Sequence, residues 1–210
     1  MNPFAELSLD NWILRLCERI NYQRPTKIQK LAIPSILKGK NVIGNFIFLL
    51  SFNMIFIVNA ETGSGKTATF SFPIIQKLAK DPYGLFALIL TPNRELAFQI
   101  HEQLLVFGTS INLRCCCLVG GMDMLKQSQE LSKIPHIIVG TPGRVNDMMN
   151  RDFKLRDYIG NLKFLVLDEA DRLFEESMLI DLREVYLFFV RFFKWKIRLL
   201  EDYQKKDKIF

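Results

Sequence analysis

The feature that most constrains this chain is the stretch AETGSGKT at residues 60–67. Gly63 and Gly65 let the backbone turn tightly and bring its N–H groups close to an anion. Lys66 can reach the outer phosphates of a nucleotide, and the Thr67 hydroxyl can bind Mg²⁺. The helix predicted over Lys66–Lys80 points its positive end at the same place. The stretch therefore predicts a phosphate-binding loop; the alternative is a glycine-rich turn without a ligand.

Short apolar runs alternate with helical patterns after this loop. Strands are predicted at residues 85–90, 113–119, 136–139 and 164–167, with helices at 94–107 and 122–131. Alternation at this spacing predicts a doubly wound parallel α/β sheet with helices on both faces. Ligands of such sheets bind at the carboxyl ends of the strands, where the phosphate-binding loop also lies.

Acidic residues follow the last apolar run directly. Asp168 is placed to hold Mg²⁺ through water, and Glu169 to orient or deprotonate an attacking water. Together with Lys66 they complete a predicted nucleoside triphosphatase site. A solvated acidic loop is the alternative.

Other polar residues stand at predicted helix starts. Residues 93–95 and 141–144 offer backbone N–H groups, a hydroxyl and guanidinium groups, which suit nucleic-acid phosphates, although ordinary capping explains each stretch alone. Gln29, one turn inside a helix expected to begin near Pro25, has the donor and acceptor that match the edge of adenine.

Composition adds a few bounds. A chain of 210 residues is expected to form one α/β domain. The net charge is +6, but residues 187–210 contain seven basic and three acidic residues, so most of the excess lies in this tail. Four cysteines without metal-type spacing are expected to be reduced, as in a cytosolic or nuclear protein. With acidic Glu6 and Asp10, the N-terminal region does not resemble a signal peptide.

Residues 46–59 interrupt the expected strand-to-loop junction with the sequence FIFLLSFNMIFIVN. Either a strand at 42–44 is followed by an intruding segment, or residues 55–58 form the strand that leads into the loop. Asn45 and Asn59 bracket the segment, as expected for a 14-residue insertion. A membrane span over 42–58 is the third alternative, although it is short and contains polar residues.

The motifs, taken together, resemble those of the DEAD-box ATP-dependent RNA helicases. The resemblance covers about residues 1–186 and rests on motifs in the family's order: Phe4 with residues 22–29, AETGSGKT, PNRELA at 92–97, Gly120-Gly121, TPGR at 141–144 and DEAD at 168–171. It implies a RecA-like fold, ATP and Mg²⁺ as ligands, and RNA as a partner bound through its backbone. The details most resemble the nucleolar subgroup that acts in small-subunit ribosomal RNA processing.

The resemblance also assigns roles to residues. Lys66, Asp168 and Glu169 are expected to be catalytic, and Thr67 and Asp168 to hold the metal. The residues expected to bind ATP are Phe4, which would stack on adenine, Arg24, Gln29, Glu61, Thr62, Gly63, Ser64, Gly65, Lys66, Thr67 and Asp171. The residues expected to bind RNA are Pro92, Arg94, Gly121, Thr141, Pro142, Gly143 and Arg144. The resemblance further implies pre-ribosomal protein partners and a nuclear and nucleolar location, with the cytoplasm as the alternative. The sequence leaves the oligomeric state open, and we expect a monomer.

Several features depart from the family pattern. Asn93 replaces threonine, and the family's Ser-Ala-Thr motif and second RecA-like domain are absent from these residues. We therefore divide the chain into a Q-motif region (1–40), a RecA-like domain (41–186) with an insertion at 46–59, and an aromatic, basic tail (187–210). The tail is either an amphipathic helix for a membrane or partner, or sequence foreign to the fold, as in a truncated isoform, a retained intron or a faulty gene model. The chain is accordingly either a helicase or a fragment that binds ATP and RNA but does not turn over ATP.

Overall fold

A computed structural model describes residues 2–38, 54–58 and 65–190 of the chain, with only the backbone for Met54–Val58. The predicted strand at 42–44, most of the 46–59 segment, the loop residues 60–64 and residues 191–210 lie outside the described residues.

Strands and helices alternate as the sequence predicts. The strands are β1 Met54–Val58, β2 Ala87–Leu90, β3 Cys115–Leu118, β4 Ile137–Gly140 and β5 Phe164–Asp168. The helices are α1 Asn11–Arg19, α2 Lys27–Leu37, α3 Lys66–Lys80, α4 Arg94–Phe107, α5 Met124–Ser132, α6 Pro142–Arg151, α7 Phe153–Gly160, α8 Ala170–Leu173 and α9 Glu176–Val190. Short 3₁₀ helices occupy Ala5–Leu7 and Thr109–Ile111.

The described strands form one parallel sheet in the order β1-β5-β2-β4-β3. Strand β5 lies in the interior, between β1 and β2, and its last residue Asp168 stands opposite Val58. Helices pack on both faces, which confirms the predicted RecA-like, doubly wound α/β architecture.

Strand β1 decides between the two arrangements left open for the segment before the phosphate-binding loop. Met54–Val58 pairs along its whole length with Phe164–Asp168, so residues within the 46–59 segment serve as a strand of the sheet. Within the described ranges, the structure contains no helix long and apolar enough to cross a membrane.

Each face of the sheet carries its own apolar core. Phe164 and Val166 face α1–α4, where residues such as Phe70, Ile74 and Ile100 fill the space. The alternate strand residues face α5–α9; members of that second core include Leu88, Leu165, Leu167, Met149, Val185 and Phe189. Because successive strand residues point to opposite faces, strands β2–β5 contribute to both cores.

The N-terminal segment is attached to α3 by one buried amide. Gln76, 3% exposed, accepts a hydrogen bond from the Asp10 N–H at 2.8 Å and donates one to the Ser8 carbonyl at 3.2 Å. Residues 8–10 are thereby fixed against the helix that follows the phosphate-binding loop.

The boundary that we placed at Leu187 falls inside α9. Phe189 is buried in the second core, and the Arg156 guanidinium lies 4.8 Å from the centre of the Phe188 ring. Residues 187–190 therefore belong to the folded unit that the structure describes, while the segment boundaries themselves remain predictions.

Candidate nucleotide- and RNA-binding site

The carboxyl end of β5 meets the start of α3, as predicted. Asp168 is 1% exposed, and burial raises the pKa of its carboxyl group from 3.8 to about 6. The nearby Lys66 ammonium opposes this shift, while Glu169 adds to it. Asp168 Oδ1 is buried and has no hydrogen-bond partner within the described ranges. A buried acceptor of this kind favours a ligand beside Lys66.

The oxygen donors at this place fit Mg²⁺. Mg²⁺ prefers oxygen ligands and is commonly held by one or two protein side chains together with phosphate oxygens and waters. The unpartnered Asp168 carboxylate oxygen and the Thr67 hydroxyl in the first turn of α3 are such donors. The described residues contain no group of three His, Cys, Asp or Glu side chains suited to a metal.

Glu169 occupies a strained backbone position between β5 and α8. Its φ is +51°, in the left-handed region that a residue with a side chain rarely adopts, at a cost of about 1–3 kcal/mol. Its Oε2 atom is buried without a hydrogen bond in the described structure and lies 3.5 Å from Arg172 Nη1. Asp171, two residues further along the chain, is exposed.

Gln29, which was predicted to contact the edge of adenine, makes hydrogen bonds within the protein instead. Helix α2 begins at Lys27, two residues later than the expected start, because Thr26 and Gln29 form a capping box. Gln29 accepts from the Thr26 N–H at 3.0 Å and donates to the Gly65 carbonyl at 3.1 Å. This side chain, 2% exposed, therefore joins the Q-motif region to the phosphate-binding loop in this structure.

The other two residues expected at the base differ in exposure. Phe4 has no exposed surface, and its ring stacks on Tyr22 with centroids 6.4 Å apart. Stacking on adenine would require this ring to leave its cluster. Arg24 is exposed. The predicted ligands Glu61, Thr62, Gly63 and Ser64 lie outside the described residues.

Arg94 and the double glycine form the next part of the edge. Gly121 has φ +78°, and a Cβ atom there would stand 2.1 Å from Arg94 Nη1. At Gly120 the nearest Arg94 atom would be 3.7 Å away, an ordinary contact. A residue with a Cβ atom at position 121 would displace the Arg94 side chain, so its present position requires glycine there.

A groove of about 490 Å³ collects most of the predicted RNA-binding residues. The predicted residues in its lining are Pro92, Arg94, Thr141, Pro142, Gly143 and Arg144, with Gly120 beside Gly121. Arg144 is held by a 3.2 Å hydrogen bond from its Nη1 to the Met122 carbonyl. The groove thus joins the ends of β2, β3 and β4.

Four further groove residues are not among those assigned individually to RNA, namely Asn93, Glu95, Met178 and Asp181. Asn93 caps α4, since its Oδ1 accepts from the Leu96 N–H at 2.8 Å, which gives the departure from threonine a structural role. Asp181 accepts from Asn146 Nδ2 at 2.8 Å. The Asn93 cap was readable from its position before a helical pattern; Asp181 comes from a distant helix, and no sequence signal marks it.

The comparisons with known proteins agree with this geometry. The family model described as "DEAD/DEAH box helicase" matches residues 26–196. The human protein named probable ATP-dependent RNA helicase DDX49 is 46% identical over 84% of this chain and 33% of its own length. The Emericella nidulans protein named ATP-dependent rRNA helicase rrp3 is 46% identical over 82% of this chain and 34% of its own.

Solved structures share the fold. The DEAD-box helicase Mss116 bound to ssRNA and UDP-BeF has a TM-score of 0.72 and 30% identity, covering 86% of this chain and 35% of that one. A DEAD box protein from Methanococcus jannaschii has a TM-score of 0.71 and 34% identity, covering 87% and 46%. The chain spans about a third of the length of the curated relatives it matches. From the family match over most of its residues, the chain belongs to the DEAD/DEAH box helicase family.

Proposed function

We propose that this chain is the first, ATP- and RNA-binding domain of an ATP-dependent RNA helicase that remodels ribosomal RNA or its protein complexes. One observation carries the proposal: the Lys66–Asp168 pair and the groove around Arg94 lie along one edge of one parallel sheet. Nucleotide and RNA would then bind to neighbouring strand ends.

The nucleotide half of the site has a role for each residue. Lys66 and the N–H groups of the loop, including residues 61–65, would bind the phosphates, because a helix N-terminus favours anions. Thr67 and Asp168 would hold Mg²⁺, which neutralises the charge on the phosphates when bound. Glu169 would orient the attacking water, and Asp171 would link the site to neighbouring motifs. In this proposal Gln29 contacts adenine only after exchanging its present partners.

The groove suits an RNA backbone rather than bases. Arg94 and Arg144 supply guanidinium groups, and Thr141 and Gly143 lie at or beside the start of α6, where N–H groups point outward. Contacts of this kind fix the position of a strand without reading its sequence.

The proposed biological setting is based on the names of the relatives. One relative is named an rRNA helicase, so we propose action on ribosomal RNA in the nucleus and nucleolus, with pre-ribosomal proteins as partners. We propose a monomer.

A second candidate function is an ATP- and RNA-binding fragment without turnover. In GTPases, an arginine finger can supply about 10³–10⁵ in rate. The family resemblance places such a residue in a second domain, which these 210 residues do not include. We therefore expect the isolated chain to bind both ligands, to hydrolyse ATP weakly and to unwind nothing.

The test measures binding and turnover on the same preparation. Fluorescence polarisation would report binding of a labelled nucleotide and of a short labelled oligouridylate, and phosphate release would report turnover with and without RNA. Lys66→Ala is the control for the nucleotide site. RNA-stimulated phosphate release well above that of Lys66→Ala would reject the fragment; no binding of either ligand to a folded chain would reject the proposed function.

A further inference from the structure

A single side chain on α5 bonds both backbone polar groups of one residue at the sheet edge. The Val119 N–H donates to Gln127 Oε1 at 3.2 Å, and Gln127 Nε2 donates to the Val119 carbonyl at 3.0 Å. Gln127 is 5% exposed and Val119 is fully buried. A glutamine amide presents the same donor and acceptor as a peptide group.

The position of Val119 explains why such a partner is needed. Strand β3 ends at Leu118, whose carbonyl accepts from the Thr141 N–H on the β4 side. In a parallel strand the polar groups of the next residue point to the opposite side, and β3 is an edge strand of the described sheet. Gln127 therefore takes the place of a neighbouring strand for one residue, at a buried peptide where missing partners are costly.

What this pair of bonds holds in place is the double glycine. Gly120 and Gly121 follow Val119 directly, and the Arg94 guanidinium lies where a side chain on Gly121 would stand. A displaced turn would therefore displace Arg94 or open a gap beside it.

We propose that Gln127 is a positioning residue for RNA binding: its amide fixes the Gly120–Gly121 turn and so holds Arg94 in the groove. This inference rests on the proposed function, because it requires the groove to bind RNA. A purely structural role would stabilise the chain without a specific dependence on Arg94.

The experiment is a double-mutant cycle on the full chain, with Gln127→Met, Arg94→Ala and their combination. Binding of a short labelled oligouridylate is measured by fluorescence polarisation at several salt concentrations, and nucleotide affinity and thermal melts are measured alongside. Gln127→Met should weaken RNA binding about 10-fold, the order expected for one hydrogen bond to a charged group. It should leave nucleotide affinity unchanged and reduce the salt slope by about 0.7, one single-strand phosphate contact. In the Arg94→Ala background it should have less than about a twofold effect, because its route of action is already removed.

Two matched variants separate positioning from general destabilisation. Gln129→Met makes the same change at an exposed site on α5 and should bind RNA as the unmodified chain does. Leu131→Ala removes a buried side chain from the same helix and should lower the melting temperature without changing RNA affinity at a temperature where it is folded. Gln127→Glu, which keeps the shape but loses the donor when ionised, replaces the methionine variant if that variant does not fold.

The outcomes are distinct. Suppose that Arg94→Ala weakens RNA binding. The inference alone is then overturned if the Gln127 variants leave RNA affinity unchanged, or if they weaken it equally with and without Arg94. Equal weakening by Leu131→Ala also overturns it. An RNA affinity that Arg94→Ala does not change overturns the proposed groove and this inference with it.

Discussion

The buried carboxyl group of Asp168 should make the ligand-free chain less stable as the pH rises through the acid range. The folded state raises the pKa of this group from 3.8 to about 6, chiefly by burial and against the opposing Lys66 ammonium. Between about pH 4 and pH 6 the unfolded chain has released this proton while the folded chain still holds it. The free energy of unfolding contributed by Asp168 therefore falls across this window and is constant above it.

The magnitude follows from the shift of about two pKa units. At 1.36 kcal/mol per unit, ionised Asp168 costs the folded chain about 3 kcal/mol at pH 7. Asp168→Asn removes this cost, so the variant should melt about 6–12 °C higher at pH 7 in metal-free buffer. It should also lose ATP hydrolysis, because the proposed metal ligand is gone.

The assay is a series of urea and thermal melts from pH 4 to pH 8 for the unmodified chain and the variant. The difference between the two curves isolates Asp168 from the other carboxyl groups. Asp171→Asn is the matched control, since it makes the same change at an exposed residue and should give a much smaller difference, because the Asp171 charge is the smallest of the contributions that raise the pKa of Asp168. A variant that is no more stable at pH 7, or a difference curve without slope between pH 4 and pH 6, would refute the reasoning.

Three further substitutions test other parts of the site and its support. Gly121→Ala should lower the free energy of unfolding by about 1–2 kcal/mol because of its positive φ, and it should weaken RNA binding about 10-fold because the new methyl group pushes Arg94 aside. Gly120→Ala is the control and should change both properties much less; equal effects of the two variants would contradict the geometry. Gln29→Leu leaves the Thr26 N–H without its partner, while the Gly65 carbonyl keeps its bonds from Thr69, and should lower the free energy of unfolding by about 1–3 kcal/mol in urea melts. It should also weaken binding of a nucleotide analogue; unchanged nucleotide affinity would show that the bond of Gln29 to the phosphate-binding loop is unimportant. Gln76→Leu should cost about 2–4 kcal/mol and expose the N-terminal segment to limited proteolysis; an unchanged melt and cleavage pattern would show that the segment is held by its apolar contacts.

The alternation of strands and helices was predictable because each element has its own local pattern. The apolar runs that became β2–β5 are bounded by turn residues, and α4 has the predicted bounds, Arg94–Phe107. The strand before the phosphate-binding loop was not decided by pattern, since residues 42–44 and 55–58 are both short and apolar. Its choice depends on pairing with β5, more than a hundred residues later.

The residues of the candidate site were likewise predictable where local sequence pattern decides their role, and not where tertiary packing decides it. Lys66 and Asp168 were recognisable because their chemistry is tied to positions next to a strand or helix end. The burial of Phe4 was not, because a sequence gives the type of a side chain but not whether its face is already packed. Gln127 was missed for a related reason: its importance comes from two hydrogen bonds to an edge residue on another element.

The interior position of β5 has a consequence for synthesis of the chain. Strands β1 and β2 are both made before β5, yet β5 must lie between them. About 74 residues separate the end of β2 at Leu90 from the start of β5 at Phe164, which a ribosome adding 5–20 residues per second makes in about 4–15 s. Through this interval β1 and β2 lack the neighbour that joins them. The nucleotide half of the site is therefore assembled only after the strand that ends in Asp168 has left the ribosome.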